Sequence, residues 1–135
     1  MGNKKDWSKI ILKKIAVLLG GISAERSVSL KTGKYVFKSL KKQGYTVKKI
    51  KVSSDKNKLI KTLKEFKPDF VFNALHGFFG EDGKVQKLLD NLKLKYSHSN
   101  AKTSDIAMNK KKTKLIFKKI GVPYPKDISV NIRNF

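Results

Sequence analysis

The chain has 135 residues, 39% of them hydrophobic, which suffices for one domain with a buried core. It contains no cysteine, and this excludes a disulfide framework and thiolate metal sites. Lysine and arginine number 32 against 10 acidic residues, so the formal net charge is +22. Such a charge points to an anionic partner. However, only Arg26 and Arg133 are arginines and the lysines are spread along the chain, so we favour a solvated lysine-rich surface over a nucleic-acid site.

Membrane and export signals are not predicted. The apolar run from Ile15 to Leu19 is too short for a membrane span or a secretory signal core. Asp6 stands where an N-myristoylation signal needs serine or threonine. We therefore expect a cytoplasmic protein without a membrane partner.

The first half of the chain alternates between strand and helix patterns after a basic extension at residues 1–12. Residues 15–19 read as a strand buried on both faces, and it stops at Gly20-Gly21. A helix follows and ends at Gly44. Five of its residues recur at helical spacing: Val28, Thr32, Tyr35, Val36 and Leu40. Residues 45–52 alternate weakly, which is typical of a strand near the edge of a sheet.

The alternation continues through the second half. Asp55 is the predicted N-cap of a helix that ends at Pro68. Residues 69–75 (DFVFNAL) read as a third strand, and the loop HGFFGEDG follows. The next helix has one apolar face: Val85, Leu88, Leu89 and Leu92.

The last part of the chain is mainly helical. Residues 94–96 read as a short strand, and residues 101–120 as two helical pieces with Asn109 as the cap between them. An extended segment is predicted from Pro125 to Val130. The alternation as a whole predicts an α/β fold: an open, mainly parallel sheet with helices on both faces.

Two loops leave strands at the carboxyl edge of this predicted sheet, where ligands bind in such folds. In the first loop, Gly20 and Gly21 let backbone N–H groups approach a ligand closely. Glu25, a rare acid in this basic chain, could hold a substrate ammonium group or simply favour the helix N-terminus. The alternative is a tight turn in which Ser23 or Ser27 caps the helix.

The second loop carries His76 directly after the third strand, so its imidazole should share a rim with Glu25. Glycines and an acidic pair surround this histidine: Gly77, Gly80 and Gly83, with Glu81 and Asp82. A single histidine is often structural, and here we weigh the functional reading about equally. Phe78 and Phe79 form either a hydrophobic lid or part of the core.

Other familiar motifs are absent. The sequence has no G-x-G-x-x-G dinucleotide fingerprint, and residues 77–84 are one residue too long for a P-loop, with Val85 in place of the required serine or threonine. We find no paired-histidine metal motif and no serine or cysteine nucleophile, so no metal ligand is predicted.

Taken in order, four segments resemble the D-alanine–D-alanine ligase family: KIAVLLGGISAERSVSL, ALHGFFGEDGKVQKLL, LKYSHSNAKTSDIAMNKKKTK and GVPYP. The similarity runs from about Lys13 to Val130. It implies ATP-dependent joining of two D-alanines for peptidoglycan synthesis. In that family ATP with Mg²⁺ (or Mn²⁺) activates one D-alanine as an acyl phosphate, which the amine of the second D-alanine attacks.

The resemblance assigns roles to four residues. Glu25 matches the catalytic-site acid that orients the first D-alanine through its ammonium group. Ser29 matches a serine near this substrate, and His76 a histidine beside it. Lys110 matches a lysine that helps to hold the ATP phosphates.

The resemblance has two departures within its motifs. Asn109 stands where the family usually has aspartate, and either residue can cap a helix. His98 takes a glycine position, which would cost energy if that backbone needs a positive φ.

The resemblance implies a Rossmann-like pre-ATP-grasp domain over residues 13–100. Residues 101–135 would be a helical link and the first segment of an ATP-grasp domain. Because the phosphate loop, the magnesium-binding acids and the second D-alanine site would follow Phe135, we expect a truncated chain that does not catalyse ligation alone. A homodimer is compatible with the resemblance. The alternative function is a basic α/β module that binds nucleic acid electrostatically.

Overall fold

The computed structural model describes residues 14–126 and residue 128. The predicted N-terminal extension, Lys13 and residues 127, 129 and 130 of the predicted extended segment at 125–130 lie outside these residues. The elements in chain order are β1 (Lys14–Gly20), α1 (Arg26–Lys42), β2 (Thr46–Val52), α2 (Lys56–Phe66), β3 (Phe70–Asn73), α3 (Lys84–Asn91), α4 (Ala101–Met108) and α5 (Lys110–Lys119).

The sheet of the described residues has three strands in the order β2-β1-β3. Both neighbours run parallel to β1, with Leu18 opposite Ile50 on one side and opposite Asn73 on the other. This confirms the α/β fold and the edge position of β2. Because all three strands run in one direction, their carboxyl ends meet at a single edge.

Helices cover both faces of the sheet, as predicted, because successive side chains of β1 point to opposite faces. Ile15 and Val17 face α1, where Val36 and Leu40 pack against them. The other face carries the larger cluster, which α2 and α3 cover. Its buried members are Ala16, Leu18, Ile50, Val52, Leu59, Leu63, Val71, Leu75, Phe79, Val85 and Leu89.

Three side chains cap helices by accepting backbone N–H groups of the first turn. Asp55 caps α2 through the N–H of Lys58 at 3.0 Å. Asn109 caps α5 through the N–H of Lys112 at 3.0 Å, so both predicted caps are confirmed. Asn100 caps α4 in the same way.

Two predicted strands are shorter in the structure. The third strand ends at Asn73 rather than Leu75, because the N–H of Leu75 donates to the Asn73 side chain at 3.1 Å. The segment 94–96 makes one parallel bridge, between Val71 and Tyr96, instead of a strand. The N–H of Leu94 turns back to the carbonyl of Leu89 in α3, which leaves little extended chain for pairing.

The contact between Gly33 of α1 and Leu19 of β1 gives a test of this packing. A Cβ added at Gly33 would lie 2.5 Å from the Leu19 Cβ. Although alanine favours a helix by about 1 kcal/mol over glycine, we expect Gly33→Ala to lower the free energy of unfolding by about 1–3 kcal/mol through overpacking. Urea denaturation measures the change. The exposed neighbour provides a control, since Lys34→Ala should stay within about 0.5 kcal/mol of the unmodified chain. A more stable Gly33→Ala variant would contradict the packing.

A candidate ligand site at the carboxyl ends of the strands

The double glycine after β1 forms a turn that is anchored to β2. Gly20 and Gly21 have φ of 90° and 85°, in the left-handed region that glycine tolerates best. The Gly21 N–H donates to the Val52 carbonyl at 3.0 Å. The Arg26 guanidinium donates to the Gly21 carbonyl at 2.8 Å and approaches that of Val52 at 3.4 Å. Arg26 thus fixes the first loop, a role that the sequence analysis missed.

Ser29 links the carboxyl ends of β1 and β3 by hydrogen bonds. Its side chain is fully buried. The hydroxyl donates to the Ala74 carbonyl at 2.7 Å and accepts the Gly20 N–H at 2.8 Å. The structure therefore shows a positioning contact for Ser29, and its contact with a substrate stays a prediction.

Glu25 lies against the second loop. A Cβ added at Gly77 would be 2.5 Å from the Glu25 Oε2 and 3.3 Å from the Ser23 Cβ, so the two loops touch where Gly77 has no side chain. The Ser23 hydroxyl donates to the His76 carbonyl at 2.7 Å and accepts the Glu25 N–H at 3.1 Å. Neither Ser23 nor Ser27 caps α1, because the N-cap position belongs to Glu25, whose side chain makes no capping bond. The structure brings the predicted acid and the His76 loop to one rim.

Protein groups hold the His76 imidazole at both ring nitrogens. Nε2 lies 3.2 Å from the Thr32 hydroxyl, and Nδ1 lies 3.4 Å from the Glu81 Oε1. The other Glu81 oxygen accepts the Gly77 N–H at 3.0 Å. The His76 side chain remains 30% exposed, so a ligand at the rim can reach it. The helical spacing of Thr32 in the sequence did not predict its contact with this ring.

The rest of the second loop is held by close packing and by Asp82. Added Cβ atoms would overlap the Leu75 side chain at Gly80 and the Ala101 carbonyl at Gly83, so these two predicted loop glycines allow close approach of neighbouring chain. Asp82 accepts the Phe79 N–H at 3.1 Å and the Lys84 ammonium at 2.8 Å. Burial acts to raise the pKa of the Asp82 carboxyl, but these hydrogen bonds outweigh it and hold the pKa below its usual value.

The two phenylalanines of this loop have different environments. Phe79 is buried in the core, with φ of 71°. Phe78 is half-exposed, and the Lys84 ammonium lies 3.8 Å from its ring centroid. The pair is therefore one core residue and one surface residue.

Asn73 at the end of β3 is buried, and its side chain makes several hydrogen bonds that were not predicted from the sequence. Its amide nitrogen donates to the Gly80 carbonyl at 2.8 Å and lies 3.0 Å from the His98 Nδ1. The non-glycine residues with positive φ in the described chain are Lys67, Phe79 and Lys93. His98 is not among them, so the strain considered for this position does not arise.

Lys110 is not brought to the rim by any contact that the structure describes. It is the exposed first residue of α5, and α5 packs against α4. Its proposed contact with ATP phosphates stays a prediction. Within residues 14–126 and 128, no group of three or more acidic or histidine side chains could hold a metal ion. The helices of this part are each too short or too polar to cross a membrane.

The Ser29 bridge gives the second test. Ser29→Ala would leave the buried Gly20 N–H and Ala74 carbonyl without this partner, so we expect the free energy of unfolding to fall by about 1–3 kcal/mol. Chemical denaturation followed by circular dichroism measures it. Ser27→Ala, at an exposed position of the same helix, is the matched control and should change stability by less than about 0.5 kcal/mol. Equal stability of the two variants would show that the bridge is not needed.

Comparison with known proteins relates the chain to one enzyme family. No protein-family model matches it. It is 50% identical over 119 residues to the D-alanine–D-alanine ligase of Pelagibacter ubique and 48% identical over 112 residues to that of Acidiphilium cryptum. These matches cover 88% and 83% of this chain, but only 38% and 37% of the two relatives.

Solved structures agree with the sequence matches. The Bacillus anthracis D-alanine–D-alanine ligase complexed with ATP matches 90% of this chain with a TM-score of 0.76 and 35% identity, over 44% of its own length. The Aeromonas hydrophila enzyme matches the same share with a TM-score of 0.75 and 25% identity. The chain is therefore a homologue, in sequence and in fold, of part of a D-alanine–D-alanine ligase.

Proposed function

We propose that this chain supplies the part of a D-alanine–D-alanine ligase that binds the first D-alanine. The observation that carries the proposal is the contact of the Glu25 carboxylate with Gly77, directly after His76, at the carboxyl edge of the sheet. A carboxylate and an imidazole at one rim suit a small zwitterion, because the acid can pair with its ammonium group. Glu25 would hold the ammonium of D-alanine, and His76 would lie beside it.

The reaction we propose is ATP-dependent joining of two D-alanines in peptidoglycan synthesis. The carboxylate of the D-alanine at Glu25 would be activated as an acyl phosphate and attacked by the amine of a second D-alanine. One solved relative is complexed with ATP, and by family resemblance Lys110 would contact the ATP phosphates. Mg²⁺ would be bound outside the residues described here, since those contain no cluster of acidic or histidine side chains for it. Glu25 and His76 then contribute by orienting the first substrate.

We propose a domain boundary near residue 100, with residues 101–135 as the first segment of an ATP-grasp domain. The support is the exposure of α5, which has no buried residue in the described chain. Large apolar side chains are exposed along α5 and the segment after it: Leu115, Ile116, Ile120, Val122 and Tyr124. Such a surface is expected where further polypeptide packs.

Ligation is proposed to need that further polypeptide. The chain spans less than two fifths of the Pelagibacter and Acidiphilium relatives' length, so we propose that residues 1–135 alone bind D-alanine but do not join it. A cytoplasmic location fits the use of ATP. The homodimer that is compatible with the resemblance stays a prediction.

The nucleic-acid alternative gains no support from the surface. Several lysine ammonium groups lie over aromatic rings, including Lys48 over Phe66, Lys49 over Phe37 and Lys84 over Phe78. Binding of single strands usually uses open aromatic rings on which bases stack. Each of these three rings has a lysine ammonium of the protein itself within 5.5 Å of its centroid.

Titration of the isotope-labelled full chain with D-alanine tests the proposed function. We expect shifts of the amide signals of residues 21–25 and 76–77. Glu25→Gln should weaken binding about tenfold or more, since a hydrogen bond to a charged group contributes about 1.5–3 kcal/mol. Glu65→Gln, which removes an exposed glutamate of α2, is the matched control and should bind as the unmodified chain does. Equal affinity of the Glu25 and Glu65 variants would refute the assignment.

A further inference from the structure

We propose that Glu81 and Thr32 are positioning residues that fix the hydrogen of neutral His76 on Nδ1. This makes Nε2 a hydrogen-bond acceptor at the rim. The assignment of the hydrogen rests only on the contacts of the ring. Naming the ligand group rests in addition on the proposed function: Nε2 would accept from the ammonium of D-alanine, the group that Glu25 also holds.

The Nδ1 side of the ring faces a group that can only accept. An ionised carboxylate has no hydrogen to donate, so a hydrogen bond between Nδ1 and the Glu81 Oε1, 3.4 Å away, forms when the hydrogen is on Nδ1. The Gly77 N–H binds the other oxygen of Glu81 at 3.0 Å and so orients the carboxylate. A histidine tautomer is set by such a partner on one ring nitrogen.

The Nε2 side faces a group that can donate. The Thr32 hydroxyl lies 3.2 Å away and can give its hydrogen to the free lone pair. Thr32 belongs to α1, and Glu25 is the N-cap of the same helix, seven residues earlier. A hydroxyl can rotate away from Nε2, and an ammonium group that brings its own N–H can take its place.

His98 offers an internal comparison because its contacts require the opposite tautomer. The Asn73 side chain is oriented by donation to the Gly80 carbonyl at 2.8 Å and by acceptance of the Leu75 N–H at 3.1 Å. The atom 3.0 Å from the His98 Nδ1 is therefore the amide nitrogen, which only donates. Neutral His98 must carry its hydrogen on Nε2.

The two histidines of the chain can be compared in one spectrum. Long-range ¹H–¹⁵N correlation of the ¹⁵N-labelled full chain at alkaline pH, where imidazoles are neutral, identifies the protonated ring nitrogen. We expect the Nδ1-protonated form for His76 and the Nε2-protonated form for His98. Glu81→Ala should move His76 to mainly the Nε2-protonated form and leave His98 unchanged. Thr32→Val should move His76 less far in the same direction.

Asp105→Asn is the matched control, because Asp105 contacts Lys112 and not the ring; it should leave both tautomers unchanged. An unchanged His98 pattern also reports that each variant keeps its fold at Asn73. An Nε2-protonated His76 in the unmodified chain, or a His76 tautomer unaffected by Glu81→Ala, would overturn the inference.

D-alanine added to the same sample separates this inference from the proposed function. Binding with retention of the Nδ1-protonated form and a shift of the His76 Nε2 signal supports both. Binding that moves the hydrogen to Nε2 overturns the acceptor role of His76 and leaves the substrate assignment intact. Absence of any D-alanine binding overturns the proposed function and the ligand named here, while the tautomers still decide the positioning role.

Discussion

The site depends on the close contact of two loops at a residue without a side chain. Gly77 lets the Glu25 carboxylate and Ser23 pack against the loop that carries His76. The loops follow β1 and β3, which are parallel neighbours in the sheet, so both begin at the same edge. Below the contact, the buried Ser29 hydroxyl links the two strand ends by two hydrogen bonds. An acid and an imidazole that are 51 positions apart in the sequence are thereby held at one edge of the sheet.

Periodicity predicted most of the fold, because the core positions of β1, α2 and α3 follow the strand and helix periods, whereas Val28 and Tyr35 of the predicted α1 pattern are exposed. The central strand is a continuous apolar run, as a strand covered on both faces should be. Errors occurred where a side chain competes with the strand ladder. Asn73 takes the Leu75 N–H and ends β3 early, and the turn of Leu94 back to α3 leaves a single bridge at Tyr96. Such local competition cannot be read from hydrophobic spacing.

The sequence predicted which loops meet, but not the contacts that fix them. The order of parallel strands and the motif resemblance both point to Glu25 and His76. The supporting contacts join residues distant in sequence, such as Thr32 with His76 and Asn73 with His98. In the sequence, Thr32 is only one residue of a predicted helix and Asn73 one residue of a predicted strand, so neither position indicates a contact with a histidine. Lys110 shows the reverse case, since its motif is clear while no contact described for it joins it to the rim and α5 packs against α4.

A disulfide trap tests the loop contact most directly, because the chain has no cysteine of its own. The Ser23 Cβ lies 3.3 Å from the position that a Cβ added at Gly77 would take, close to the separation of about 3.5–4.5 Å in disulfides, and the flexible Glu25 side chain can move aside. The double variant Ser23→Cys with Gly77→Cys should therefore form a disulfide under mild oxidation. Because the two thiols lose their hydrogens, the mass of the chain should fall by about 2 Da. As a control, Ser39→Cys with Gly77→Cys should stay reduced, because Ser39 lies about 20 Å along α1 from the start of this helix at Arg26. A reduced first pair, or equal cross-linking of both pairs, would contradict the meeting of the two loops.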